Sequence, residues 1–355
     1  MLHTARLFLS GCNSFGERKI PRLAKYSVPY PQAPSSNHAL EAAQFFTRQR
    51  NVFALATLCC LLWGSAFPAV KLGYTLFAIA KNDLASQLLF AGYRFLFAGL
   101  ILLGIAFVSG KPLVRIPPGS WRRLWLLGFT QTTLQYVFFY TGLAHASGVK
   151  SAILNAVGTF FSVLLAHWIF HNDRLTLRKT LGCSLGFVGV MVVNLGGGGL
   201  AGWGFDFTLL GEGCIVMAAF VLSCASIYGK RVSQTMDSVV MTGYQLCMGG
   251  LILMGLGLGG GGALDQITFE SGALLAYLAA LSAAAFSVWS MLLKYNRVST
   301  VTVFNFLIPI FGASLSALFL QESLLAWKNL LALVLVCLGI WAVTQDKAQR
   351  TRPRG

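Results

Sequence analysis

The feature that most constrains this chain is a series of apolar runs, each about 20 residues long, separated by short polar loops. A helix of that length crosses the hydrocarbon core of a bilayer. Of the 355 residues, 56% are hydrophobic and 11% are charged, whereas a soluble domain carries about a quarter charged residues. Too few charges remain to cover a water-exposed surface, so the chain is predicted to be an integral membrane protein.

The apolar runs predict an all-α integral membrane protein with about ten transmembrane helices, because they are too long and too uniformly apolar for the alternating strands of a membrane barrel. The predicted spans are 52–74, 86–108, 122–144, 149–170, 178–196, 208–229, 237–258, 272–293, 299–319 and 326–344.

Lysine and arginine residues are spread unevenly over the loops between these spans. If the N-terminal tail is cytoplasmic, the cytoplasmic loops and the C-terminal tail hold most of them: Lys111, Arg115, Arg122, Arg123, Arg174, Arg178, Lys179, Lys230, Arg231, Lys294, Arg297, Lys347, Arg350, Arg352 and Arg354. The opposite loops hold Lys81, Lys150 and Lys328. The positive-inside rule therefore places both termini in the cytoplasm. The net charge of +16 is interpreted as a topology signal and not as a nucleic-acid surface, because the charges lie in short runs.

The two ends of the chain differ from the apolar region. Residues 1–50 are predicted to be a disordered or targeting tail, and 346–355 a basic cytoplasmic tail. The sequence Leu9-Ser10-Gly11-Cys12 resembles a lipoprotein cleavage box, but the apolar run before it is shorter than a signal peptide needs. The eight cysteines show no CxxC pair, and seven of them lie in apolar stretches as packing residues. No metal and no cofactor are expected.

The chain contains an internal repeat that becomes visible when it is shifted by 149 residues. Leu143 then matches Leu292, Phe170 matches Phe319, and Asp173 matches Glu322. This divides the chain into five-helix halves at 52–196 and 208–345. Because five is odd, the second half begins on the opposite side of the membrane, so the halves are predicted to be inverted repeats, as in many secondary transporters.

Several motifs occur in the order found in one family of transporters. They are 63–73 (WGSAFPAVKLG), Tyr93-Arg94-Phe95, 143–147 (LAHAS), the acidic turns at 170–175 and 318–324, and Pro309. Over about residues 52–345 the chain resembles the EamA-type transporters of the drug/metabolite transporter superfamily. The resemblance implies export or exchange of amino acids, other metabolites or drugs, across the bacterial inner (plasma) membrane in most members; an organelle membrane is the alternative. The small multidrug members use a glutamate in helix 1 for proton coupling, and helix 1 here has no acid.

Ionisable residues within membrane helices are costly and therefore suggest function. Lys71, Arg94 and Glu212 are candidates for a gating or structural charge. Lys71 and Glu212 lie near span ends and have snorkelling to the interface as the alternative. Arg94 lies well inside helix 2. His167 is expected to be a packed, hydrogen-bonded residue.

The resemblance implies a central cavity surrounded by helices 1, 3, 4, 6, 8 and 9. The polar residues of these helices are candidates for its wall: Gln131, Gln135, Tyr136, Tyr140, Asn155, Thr159, Trp289 and Asn305. Hydrogen bonding between helices is the alternative for each of them. Pro68 and Pro309 are expected to break their helices beside this cavity.

These patterns together predict a secondary transporter of a small metabolite, amino acid or drug-like solute, working by alternating access at one central site. A membrane-embedded enzyme or a non-transporting partner protein is the alternative, although an enzyme would need clustered acids or histidines at one depth. The expected partners are a small-molecule substrate and the lipid bilayer, with no nucleic acid. Gly182 and Gly186 in helix 5 permit close packing, and a homodimer is a further expectation.

Overall fold

The computed structural model describes residues 41, 44–111, 113, 116, 119–169, 176–195, 206–233, 235–296, 301 and 303–349. The chain divides into two units, Met1–Gln44 and Phe45–Gly355, and the description below concerns the second. All elements of regular structure in the described residues are helices. Residues 1–40 and 350–355, and with them most of the two predicted tails, lie outside the described residues.

The helices are labelled α1 to α10 in chain order. The continuous ones are α1 (Gln49–Leu76), α2 (Leu84–Val108), α5 (Leu177–Val193), α7 (Ser238–Gly259), α8 (Phe269–Tyr295) and α10 (Trp327–Gln349). The composite ones are α3 (Ser120–Leu127, a π-helical stretch Gly128–Leu134, and Gln135–His145), α4 (Gly148–Asn155 and Val157–Ile169), α6 (a π-helical stretch Leu209–Gly213, and Cys214–Ser233) and α9 (a 3₁₀ turn Val303–Phe306, and Leu307–Leu320).

Polar residues immediately before the helices fix their N-terminal ends. The Asp83 carboxylate accepts a hydrogen bond from the Ser86 N–H at the start of α2. Thr268 and Ser271 form a reciprocal capping box at the start of α8. Such caps satisfy backbone donors that have no partner within the helix. In a membrane protein they mark where the apolar run ends, which is why the sequence located these starts to within a few residues.

The apolar helices identify a multi-pass membrane protein. Among the described residues, six segments are long and apolar enough to cross a bilayer: Gln49–Leu76, Leu84–Val108, Gly148–Leu165, Leu209–Ser233, Ser238–Gly259 and Phe269–Tyr295. Phe304–Leu320 and Trp327–Ala342 are shorter apolar helices. The all-α architecture predicted from the sequence is confirmed for the part of the chain that the structure describes.

The expectation of a helix break at Pro68 is wrong, because α1 runs through it without interruption. A proline removes one backbone donor, but here the preceding turn is held by close packing. A Cβ built on Gly64 would lie 2.7 Å from the Phe311 Cβ of α9. Pro309 lies in the first turn of the α-helical part of α9, where a missing N–H removes little hydrogen bonding.

Glycines hold α2 and α7 in backbone contact. A Cβ built on Gly92 would lie 2.6 Å from the backbone nitrogen of Met254, and one on Gly250 would lie 2.5 Å from that of Leu96. Small residues permit this approach, and close van der Waals contact is what holds helices together in lipid. The α2–α7 pair is therefore the most tightly joined seam between the two halves of the chain.

The helix contacts follow a symmetric pattern. The second helix of one half packs on the second of the other (α2 on α7), and the fifth packs on the fifth (α5 on α10). Helix α1 packs on α8 and α9, while α6 packs on α3 and α4. Exchanging the two halves leaves these contacts unchanged. The glycine pair Gly182 and Gly186 contributes to the packing of α5 on α10 within the chain. A Cβ on Gly339 of α10 would lie 2.6 Å from the Gly182 carbonyl oxygen.

An ion pair links the end of α2 to the start of α7. The Lys111 Nζ lies 3.0 Å from the Asp237 carboxylate, which also caps α7 through the N–H groups of Val239 and Val240. Burial raises the pKa of Asp237, because it favours the neutral acid. The hydrogen bond and charge of Lys111 and the two backbone N–H bonds lower it by more, so the pKa of Asp237 is below its usual value. The carboxylate is therefore charged at neutral pH and holds this seam at its loop end.

Candidate functional site

Arg94 lies at the centre of the helix bundle, with 1% of its surface exposed. It is ten residues into α2, or about 15 Å along the helix axis, which is close to mid-depth of a ~30 Å hydrocarbon core. Its Nε donates to the Ser282 hydroxyl at 2.9 Å, and its Nη1 donates to the Tyr140 hydroxyl at 3.1 Å. One cation is thus held between α2 and α3 of the first half of the chain and α8 of the second half.

Aromatic rings surround this guanidinium. Its carbon lies 4.8 Å from the centre of the Phe95 ring and 5.9 Å from that of Tyr136, distances at which the ring faces attract a cation. Tyr74 of α1 donates its hydroxyl proton to the backbone oxygen of Tyr140 at 2.9 Å. The result is a cation in an aromatic and hydroxyl shell contributed by four helices.

Two of the predicted wall residues, Tyr136 and Tyr140, belong to this shell. Gln135 is adjacent to it in α3 and is buried, and its Oε1 accepts no hydrogen bond from the described residues. Gln131 faces α6 instead, because its Oε1 lies 3.3 Å from the position of a Cβ on Gly229. The helix 3 candidates therefore divide between the Arg94 shell and the contact with α6.

The predicted residues of helix 4 lie at an interruption that the sequence did not predict. Asn155 ends the first part of α4, Ala156 forms a turn, and Thr159 follows in the second part. The buried Asn155 Oδ1 accepts no hydrogen bond within the described part of the chain. No proline marks this break, so the sequence carried no obvious signal for it. The side chain of His167 lies outside the described residues.

Trp289 and Asn305 lie apart from the Arg94 shell. Trp289 of α8 packs edge-on against Trp63 of α1, with ring centres 5.1 Å apart, and Trp63 also contacts Phe286. Asn305 lies in the 3₁₀ turn that opens α9 and is half-buried. Trp289 and Asn305 therefore lie at the contact of α8 with α1 and at the start of α9, whereas Tyr136 and Tyr140 lie beside Arg94.

Glu322 joins the two halves at the end of the bundle where α1 and α9 finish and α4 begins. Its carboxylate oxygens accept hydrogen bonds from the N–H groups of Gly148 and Val149, at 2.8 and 2.7 Å. Lys71 lies 3.9 Å from the same carboxylate and donates to the Ala146 backbone oxygen at 2.7 Å. An anion at a helix N-terminus is favoured by the free N–H groups and the helix dipole, so this contact closes the bundle at that end.

A second ion pair lies at the same end. The Lys150 Nζ of α4 is 2.6 Å from a Glu212 oxygen of α6, and the other oxygen of Glu212 accepts from the Thr208 N–H and hydroxyl. Lys71 and Glu212, which the sequence left between gating and snorkelling, are therefore both paired across the two halves. The sequence placed Glu322 in the repeat and in the acidic turn at 318–324 but not in this contact, because its hydrogen-bond partners are backbone groups that no side-chain pattern reveals.

A cavity of about 220 Å³ opens beside this contact, lined by Lys71, Tyr74, Thr75, Ile79, Lys81, Leu143 and Ala144. Tyr74 links this cavity to the Arg94 shell, because it lines the cavity and donates its hydroxyl proton to the backbone oxygen of Tyr140. Among the described residues, no group of three or more His, Cys, Asp or Glu could hold a metal ion.

Both halves of the chain match one family model. Residues 51–195 and 209–345 each match the EamA-like transporter family. The chain belongs to the EamA-like transporter family. The resemblance recognised from the motifs is thus confirmed, and this EamA-like protein is a multi-pass membrane transporter of the drug/metabolite transporter superfamily and not an enzyme.

Relatives of this EamA-like transporter cover most of its length. An "Uncharacterized transporter" of Archaeoglobus fulgidus is 28% identical over 76% of this chain and 89% of its own. The "Uncharacterized transporter YvbV" of Bacillus subtilis is 27% identical over 87% of this chain and 96% of its own. The "Probable amino-acid metabolite efflux pump" of Salmonella typhimurium is 27% identical over 81% of this chain and 92% of its own. One solved crystal structure shares the fold, with a TM-score of 0.62 and 16% identity, over 85% of this chain and 99% of the other.

Proposed function

We propose that this protein is a secondary transporter that carries a small solute by alternating access at a central site between its two halves. The observation that carries this proposal is the Arg94 shell, in which a charged side chain at mid-depth is held by α2 and α3 of one half and α8 of the other. A group placed between two halves can be exposed to either side when one half moves against the other.

The solute is a small metabolite, most simply an amino acid or a close derivative, and a drug-like amphipathic compound is the alternative. Support comes from the aromatic and amide residues around the site and from the efflux-pump name of the Salmonella typhimurium relative. The same name supports export, and exchange is the alternative. A site with one cation suits a singly charged solute better than a sugar phosphate or nucleotide sugar.

The proposed membrane arrangement is ten crossings of the plasma membrane in two inverted five-helix repeats. Both termini lie in the cytoplasm. The symmetric helix contacts and the lysine and arginine distribution support it. A single cysteine at Gly355, in a cysteine-free background, should react with an impermeant maleimide only after intact cells are permeabilised. Asp265→Cys, in the exposed loop before α8, should react in intact cells. The reverse labelling pattern would contradict the arrangement.

Gln135 and Asn155 provide the test of the central site. Each carries a buried side-chain oxygen that accepts no hydrogen bond within the described residues, so each oxygen can accept a hydrogen bond from a solute. In proteoliposomes, Gln135→Leu and Asn155→Leu should change the KM for the transported solute by about two- to tenfold, the effect of one hydrogen bond. Protein yield should stay near normal.

The matched control is Gln266→Leu, which replaces an exposed glutamine in the loop before α8 and should leave KM unchanged. Radiolabelled leucine and phenylalanine are suitable first solutes. If both core variants transport every solute with wild-type KM, the two amides serve only to hold helices 3 and 4, and the site lies elsewhere.

A further inference from the structure

The charge of Arg94 is not balanced by the protein around it. Among the described residues, no aspartate or glutamate lies within ion-pair distance of this guanidinium, whose two hydrogen bonds go to the hydroxyls of Ser282 and Tyr140. The described carboxylates with ion-pair partners lie at the ends of the bundle. A buried cation without a counter-ion is costly in a membrane interior, and such residues mark solute pathways.

The shell around Arg94 stabilises the cation only in part. Hydroxyl acceptors and the faces of Phe95 and Tyr136 offset some of the lost hydration. A guanidinium has five N–H donors, more than the two hydrogen bonds that Arg94 makes to Ser282 and Tyr140 require, and its planar fork matches a carboxylate in a bidentate arrangement. Purely structural needs would be met by an uncharged residue, since replacing buried charges with apolar groups is often neutral or stabilising.

We infer that Arg94 binds the carboxylate of the transported solute, so that the substrate class is small organic monocarboxylates with an apolar or aromatic body. The solute then supplies the negative charge that the fold does not. This inference rests on the proposed function, because it assigns the substrate class of that same central site.

A single negative charge fits the site better than a phosphate dianion. Arg94 is the sole cation near mid-depth among the described spans, and Lys71 and Lys150 are paired with Glu322 and Glu212 at one end of the bundle. A dianion would carry one charge uncompensated into the membrane interior. The rings of Phe95 and Tyr136 lie against the guanidinium, and Tyr74 is hydrogen-bonded to the Tyr140 backbone beside it, so the remainder of the solute meets an apolar, aromatic surface.

The experiment compares matched acids and amides on the purified protein. Phenylalanine is compared with phenylalaninamide, and 3-phenylpropionate with 3-phenylpropionamide, by thermal stabilisation in detergent and by competition for uptake in proteoliposomes. The wild type should bind each acid more tightly than its amide by about tenfold or more, the size of a charge-assisted hydrogen bond. Arg94→Lys should weaken acid binding by about tenfold, and Arg94→Gln should abolish the preference for acid over amide.

Arg123→Lys is the control, because Arg123 is exposed on the first turns of α3; it should leave binding unchanged. If the Arg94 variants do not fold, the acid and amide pairs on the wild type still decide the question. Equal binding of acids and amides, or a preference that survives in Arg94→Gln, would overturn the assignment of Arg94 while leaving transport intact. Uptake of neutral or cationic solutes without any carboxylate would also overturn the assignment of Arg94. Absence of uptake for every solute would contradict the proposed function itself.

Discussion

Gly250→Leu is expected to prevent this transporter from folding into a stable, monodisperse protein. A Cβ at this position would already lie 2.5 Å from the Leu96 backbone nitrogen and 3.0 Å from the Gly92 oxygen. Both neighbours are backbone atoms, so no side-chain rotation can relieve the overlap and α2 must move away from α7. Overpacking in a core typically destabilises by 1–3 kcal/mol or more, and the loss of van der Waals contact along a whole helix pair adds to that. We expect about 3 kcal/mol or more.

Gly255→Leu provides a matched control in the same helix. Nothing lies within 4 Å of a Cβ built on Gly255, and leucine is a better helix former than glycine, so this variant should retain or slightly raise the melting temperature. Gly92→Leu and Gly104→Leu form the corresponding pair in α2, with Met254 atoms against Gly92 and open space around Gly104. Equal melting temperatures for the two members of either pair would show that α2 and α7 are not in backbone contact.

Glu322→Ala is expected to open the end of the bundle that Glu322 closes. The substitution removes two hydrogen bonds from a carboxylate to the Gly148 and Val149 N–H groups and the nearby charge of Lys71. Each charge-assisted bond contributes about 1.5–3 kcal/mol when buried, and partial exposure of the carboxylate reduces this. A net change of about 1.4 kcal/mol would shift the closed-to-open ratio tenfold.

Ser316→Cys in a cysteine-free background reports this opening. Ser316 is fully buried, with its Oγ 2.6 Å from the position of a Cβ on Gly148, so it should react slowly with a hydrophilic maleimide while the end is closed. Adding Glu322→Ala should speed the reaction by about tenfold or more. Glu270→Ala, which removes an exposed acid from the first turn of α8, should not. Equal labelling rates with and without Glu322 would mean that this contact does not hold the end closed.

The sequence predicted the helices well because the membrane imposes a fixed length on apolar runs. It also singled out Arg94, since a charge inside a span is conspicuous. It could not supply the partners of Arg94, because Ser282 is 188 residues away in the chain and one hydroxyl in an apolar helix carries no distinguishing pattern. Pairing between elements of the two halves depends on how the helices pack, and the helix order alone does not determine it.

The remaining differences are matters of local geometry. Pro68 was expected to break α1, but the close contact of Gly64 with α9 accompanies an unbroken helix. The turn at Ala156 and the π-helical stretch Gly128–Leu134 occur without proline, so the residue type that most often marks a helix irregularity in a sequence gave no signal for them. Gln135 and Asn155 remain predicted wall residues whose role the KM measurements test.

The measurement that tests the central claim most directly is trans-stimulation in proteoliposomes. A carrier with one site that faces each side in turn returns faster when loaded than when empty, so unlabelled phenylalanine inside the vesicles should accelerate the entry of radiolabelled phenylalanine, and Arg94→Gln should abolish the saturable uptake. Both results are predicted for a single site that faces each side in turn. Uptake that internal phenylalanine does not accelerate, uptake that is not saturable, or uptake equal to that of empty liposomes for every solute tested would contradict this mechanism.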